Sequence, residues 1–193
     1  MPNHITNVIR FEGEEGKIAG ILRDIQNDDF GTGSIDFNKL IPMPDSVFQG
    51  PLGKQEREQY PGDLNWYDWS VKHWGTKWNA YDFIFVPEMP GAIVFHTAWA
   101  SVPQILEVLS SKYPDVGMEY SWADEDIGSN TGSAVFRAGE VESVYIPEER
   151  SPEAYSFAGS VISLIDAPGS SAIPERPETR EAPEIVKDRE KER

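Results

Sequence analysis

The groups from which this chain could build a site are imidazoles, carboxylates, hydroxyls and indoles, and their spacing restricts the chemistry. The three histidines, His4, His73 and His96, lie far apart, and none falls in an HxH, HExxH or comparable metal-ligating pattern. His96 sits in a strand-like run where Phe95 and Thr97 point to the opposite face, so it reads as a partly exposed sheet histidine. No serine occupies a GxSxG setting, and no GxxxxGK[ST] or GxGxxG phosphate loop occurs. Gly31-Thr32-Gly33-Ser34 is a short glycine turn. Cysteine is absent, which removes disulfides, thiolate nucleophiles and cysteine-held zinc. Asp124, Glu125 and Asp126 offer carboxylate oxygens to a divalent cation, but without EF-hand spacing they read as a solvated turn. These patterns lead us to expect no catalytic set, no metal and no cofactor.

One segment is unusual. Four of the six tryptophans lie in 64–83, LNWYDWSVKHWGTKWNAYDF. Large aromatic rings build a core from few residues, so the cluster reads first as a satellite core. The sharper alternative is a binding pocket in which the faces of Trp66, Trp69, Trp74 and Trp78 flank a small ligand, with His73, Lys77 and Asp82 supplying polar contacts. A hydrolase built from His73 and Asp82 belongs to that second alternative, and Lys72 or Lys77 over an indole face to the first.

The elements that must position these residues follow from periodicity. Ile5, Val8, Ile9 and Phe11 mark a first strand. Ile18, Ile21, Leu22 and Ile25 fall on one face of a 3.6-residue period, predicting a helix closed by Asn27-Asp28-Asp29. Residues 83–86 and 92–97, separated by Pro87-Glu88-Met89-Pro90-Gly91, predict a hairpin. Ser101 as N-cap and Pro103 in the first turn open a second helix through Ile105, Leu106 and Leu109. A strand carrying Met118, Tyr120 and Trp122 on one face follows. Strand, helix, strand, strand, helix, strand is the split βαβ, ferredoxin-like order: an α+β fold with an antiparallel sheet and both helices on one face. It carries an insertion at about 30–81 and an extra hairpin at about 133–146, completing a domain over 1–150. Ser151-Pro152-Glu153 opens a helix to about residue 166, with Ala154, Ala158, Val161, Ile162 and Ile165 as an apolar stripe that docks on the sheet or on a partner. Residues 167–193 are rich in Pro, Glu and Arg and read as a disordered tail.

The chain has 193 residues and a formal net charge of -16. The tail holds seven acids and six bases, which leaves twenty-six acids and eleven bases, a net charge of -15, in residues 1–166. Such a body repels nucleic acid and steers basic partners toward it. The twenty-two aromatic residues exclude a wholly disordered acidic chain. No stretch has the apolar length of a membrane span and the N-terminus lacks a signal-peptide pattern, so a cytoplasmic protein with no membrane partner is expected.

The opening MPNHITNVIRFEG, the LIPMP of 40–44 and above all WSVKHWGTKWNAYD of 69–82 resemble the YubB-like group of plasmid- and phage-borne proteins, which carry a ferredoxin-like domain of the Api type. The resemblance covers roughly Met1 to Trp122, with His4 standing where relatives often have Trp. It implies a ferredoxin-like fold and a mobile-element origin, and brings no activity to carry over. Together these features favour a non-enzymatic interaction protein that binds a basic host protein through an acidic surface, inhibiting a defence or DNA-processing system. The alternatives are ligand binding or hydrolysis in the Trp-rich segment, and RNA or single-strand binding on a sheet face bearing Phe83, Phe85, Phe95 and Trp99. The last lacks an RNP-type pattern and is opposed by charge.

Overall fold

The computed structural model describes residues 3–175. In chain order the regular elements are β1 (His4–Glu12), α1 (Glu15–Ile25), α2 (Lys54–Gln59), α3 (Trp66–His73), β2 (Tyr81–Phe85), β3 (Ile93–Ala98), α4 (Pro103–Lys112), β4 (Gly117–Asp124), β5 (Gly132–Arg137), β6 (Glu140–Tyr145), α5 (Pro152–Ile162) and β7 (Ser171–Ala172). Short 3-10 turns at Phe37–Lys39 and Gly62–Leu64 lie in the segment between α1 and β2. The strands form one seven-stranded sheet in the order β6-β5-β4-β1-β3-β2-β7, with every pairing antiparallel. Its central four, β4-β1-β3-β2, joined through α1 and α4, are the ferredoxin-like core predicted from element order.

Alternation along the strands separates two faces. Ile5 and Ile9 of β1, Ile93 and Phe95 of β3, and Met118, Tyr120 and Trp122 of β4 enter one large core. Ile21, Leu22 and Ile25 of α1 and Ile105, Leu106 and Leu109 of α4 close over it. Val8, Val94 and Ala123, one position out of phase, meet Ala158 and Val161 of α5 in a second, smaller cluster. The placement of both helices on one face therefore holds for α1 and α4, whereas α5 covers the opposite face. Its start follows the predicted capping, with Ser151 Oγ accepting from Ala154 N–H at 3.1 Å and Pro152 in the first turn. The fully buried part of its stripe is Ala154, Ala158 and Val161, with Ile162 and Ile165 partly buried beside it.

Three local expectations change. Val102, not Ser101, caps α4. Its N–H is received by the hydroxyl of fully buried Tyr120 at 2.9 Å, so a core side chain satisfies the cap residue's own donor while no side chain caps the first helical turn. The tail is ordered further than its composition indicates: β7 pairs Ala172 with Ile84 and Ser171 with Phe85, and Ile173 N–H bonds Phe83 O at 2.8 Å. Ile173 then packs against the large core. The rest of the predicted tail, 176–193, lies outside the described residues. Finally, the Trp-rich insertion builds no satellite core. Ile35, Phe37, Val47, Trp69 and Trp74 are continuous with the main one.

A polar network is sealed inside that core. The Tyr120 hydroxyl donates to Asn7 Oδ1 at 2.6 Å, and Asn7 Nδ2 donates to Ile5 O at 2.8 Å and to Thr97 Oγ1 at 2.9 Å. Thr97 in turn donates to Ala100 O at 2.7 Å. Every donor has a receiver, which is what makes so many buried polar atoms tolerable. Burial holds the Tyr120 hydroxyl well above the ordinary tyrosine range.

Candidate functional site

The seven residues singled out from the sequence divide among three places. α3 is capped by Asn65, whose side chain accepts from Asp68 N–H and donates to Tyr60 O and Gly62 O at 2.8 and 3.0 Å. This fixes the helix so that Trp69 and Trp74 turn inward, meeting edge to face with centroids 5.3 Å apart. The Trp74 indole N–H donates to Ile41 O at 2.9 Å and the Trp66 indole N–H to Gly50 O at 3.1 Å. Both polar edges are thus spent on holding the insertion together. His73 stacks on Trp69 and faces Asp63 at 3.6 Å. The Lys72 hydrogen bond, with a smaller contribution from His73, holds the Asp63 carboxyl below its usual range.

What remains is an open pocket of about 520 Å³ lined by Trp66, Trp74, Lys77, Trp78, Asn79 and Asp45 among others. It gathers four of the predicted residues and leaves out Trp69, His73 and Asp82. Lys77 Nζ lies 4.3 Å from the Trp78 ring centre and 4.9 Å from that of Trp99. This cation clamp ties the end of the insertion to the residue after β3. Trp99 holds a left-handed backbone, φ 69°, which a bulky side chain adopts only when its surroundings require it.

The RNA platform is not formed. Phe83 and Phe95 are fully buried in the main core, and of the four proposed rings only Phe85 and Trp99 are exposed. Asp124 is buried at the end of β4 and accepts from Asp126 N–H at 2.9 Å, so the acidic triplet folds on itself as a turn.

Two places were not singled out as sites from sequence, although the hairpin at about 133–146 that forms the first was expected. The first is the β6 edge. β5 and β6 turn through Ala138 and Gly139, both with positive φ (52° and 84°), the two-residue hairpin geometry whose twist suits antiparallel strands. All of β6 is exposed, and Ile146 just after it is 66% exposed. Val141, Val144 and Ile146 line a groove of about 480 Å³ floored by Trp122, Ala134 and Phe136 and bounded by Pro103. The apolar alternation of the 133–146 hairpin carried this signal, but nothing local showed that a groove would stay open between it and the start of α4.

The second lies at the far end of the α5 face. β1 and β3 run antiparallel with Thr6 opposite His96 and His4 opposite Ala98, which sets His4 and His96 side by side with ring centres 5.7 Å apart. β2 pairs Tyr81 with His96, then shifts register before Ile84, and Asp82 takes φ 50°. This irregularity turns Asp82 Oδ2 toward His96 Nδ1, 3.4 Å away. Tyr81 OH meets His4 Nδ1 at 2.8 Å. Burial pushes the His96 imidazole down, against the opposing pull of Asp82, and burial with the Asp82 and Glu125 charges pushes Tyr81 up to about 12. No helix among the described residues is long and apolar enough to cross a membrane.

Comparison with known proteins adds one match. A family model described as the ferredoxin-like domain in Api92-like protein covers residues 73–163, from the end of α3 through α5. It supports the Api-type domain that the sequence resemblance implied, beginning later in the chain and reaching past Trp122 to the end of α5. No curated protein and no solved structure matches the chain.

Proposed function

We propose that this chain is a protein-interaction module without catalytic activity. It acts in the cytoplasm for a phage or plasmid, and captures a basic host protein of a defence or DNA-processing system, inhibiting it. The observation that carries this reading is the β6 edge. An exposed strand beside an apolar groove is ready for addition of an extended segment, whose backbone would pair with β6 and whose alternate side chains would enter the groove. Glu149 lines the groove, and Glu140 and Glu142 of β6 and Glu148 just after it are exposed. Of the cations near them, Arg137 is engaged with Glu12 and Glu142 at 3.4 and 3.2 Å. A strand of alternating apolar and basic residues fits that chemistry, and the charge of -15 over residues 1–166 supports its approach. The likeness to the YubB-like group supports the mobile-element setting.

The test is capture from nuclease-treated host lysate by the parent chain and by Val144→Lys with Ile146→Lys. A partner retained by the parent, lost from the double variant and released as salt rises supports the reading. Capture insensitive to both changes overturns it. The pocket at Trp66, Trp74, Lys77 and Trp78 favours a second reading, binding of a small ligand. Quenching of tryptophan fluorescence by a small-molecule panel, abolished by Trp78→Ala, would establish it.

A further inference from the structure

The grouping of His4, His96 and Asp82 is independent of the partner surface. One ligating atom from each, an imidazole nitrogen from each histidine and a carboxylate oxygen from Asp82, can be chosen so that all lie within 4.8 Å of one another. They come from three adjacent strands: the ladder of β1 with β3 fixes the backbones of His4 and His96, and the irregularity in β2 brings Asp82 to them. A divalent ion with bonds of about 2.0–2.2 Å to imidazole and carboxylate holds its ligand atoms roughly 3–4 Å apart, within reach of small side-chain rotations. We infer that His4, His96 and Asp82 bind a divalent first-row transition metal ion of the zinc class.

Three features around them support a built site. They open on a cavity of about 270 Å³ with Thr6 and Glu125 on its polar side. Ile127, Ile162 and Ile165 form its apolar wall, so the ion would sit against a low-dielectric surface where the carboxylates count for more. Tyr81 OH holds His4 Nδ1, which leaves Nε2 as the ligating nitrogen. A hydroxyl oxygen can receive the Nδ1 proton once Nε2 donates its pair to a metal, the outer-shell arrangement usual for ligating histidines. Two imidazoles with a carboxylate select zinc, iron, nickel or copper over magnesium and calcium, which prefer all-oxygen sets. Glu125 is placed to complete the ligand set or to hold a bound water. His4, Asp82 and His96 also join the N-terminal strand to β2 and β3, so a bound ion would fasten that end of the sheet.

The experiment is titration of the full chain with zinc chloride, followed by calorimetry and by the imidazole resonances of the three histidines. One ion should bind per chain, moving the signals of His4 and His96 and leaving that of His73 in place. Affinity should fall in His96→Ala, His4→Gln and Asp82→Asn by at least the roughly 10- to 100-fold that loss of an outer-shell partner costs, each checked for an unchanged metal-free circular dichroism spectrum. The parent should melt about 5 °C higher or more in zinc well above its dissociation constant, and magnesium should produce no such shift. No binding at about 100 µM zinc, or equal binding by the parent and the His96→Ala and Asp82→Asn variants, overturns the assignment.

Discussion

The two faces of the sheet are built on different plans. The α1/α4 face is a deep aromatic core into which the insertion delivers Trp69 and Trp74, with a closed polar network at its centre. The α5 face is thin, a layer of valines and alanines under one helix, and at its far end it opens onto His4, Asp82 and His96. The thick face spends its unusual residues on stability. The thin one leaves polar groups uncovered where strands from distant parts of the chain meet, and there the chemistry collects. Residue type alone ranks the faces the other way round, because tryptophans attract attention that a lone histidine in a strand does not.

The largest effect that separates the faces is expected from Trp74→Ala. It should cost about 3–5 kcal/mol, read as a shift of the denaturant midpoint, because it removes a buried ring and opens a cavity. A cost below about 1 kcal/mol would mean that the insertion folds apart from the sheet. Next comes Tyr120→Phe, expected to cost about 1–3 kcal/mol by leaving Asn7 Oδ1 and the Val102 N–H without their partner. The same residue sets a pH dependence. Its folded-state value lies above the ordinary tyrosine value of 10.0, so the unfolded chain loses its proton first and stability should be level below about pH 10 and decline above it. Stability measured against pH should decline less steeply in the phenylalanine variant. The smallest effect is assigned to the thin face: Val161→Ala at the α5 contact should cost only about 1–2 kcal/mol and leave the main core intact. A larger loss than for Trp74→Ala would reverse the comparison.

How much of this was legible in the sequence depends on the range over which each signal acts. The strand and helix order came from local periodicity, and the capping of α5 by Ser151 and Pro152 followed from residue type at one position. Which face α5 would cover did not follow. Ala158 and Val161 fit any flat apolar surface, and only the phase of Val8 and Val94 against Ile9 and Phe95 selects the side. The insertion misled for a related reason: its tryptophans show that something is packed, not that Trp74 reaches Phe37 in the main core with ring centres 5.9 Å apart. Asp82 was singled out for its place beside the indoles, yet a backbone irregularity in β2 turns it to His96 instead. The trio needs the pairing register of β1 with β3 and the shift in β2, and no spacing in the sequence encodes either.

The C-terminal strand β7 has a consequence for assembly. By pairing with β2, it makes a two-residue strand the edge opposite β6, and so short an edge is a poor template for strand addition. A template with two free ends can propagate into fibres, as each added copy exposes a fresh edge. With β2 covered in this way, β6 is the longer of the two sheet edges among the described residues. Loss of the contacts that Ile84 and Phe85 make with β7 would expose β2 as a second, longer edge, and such a variant is expected to self-associate more readily than the parent, read by light scattering.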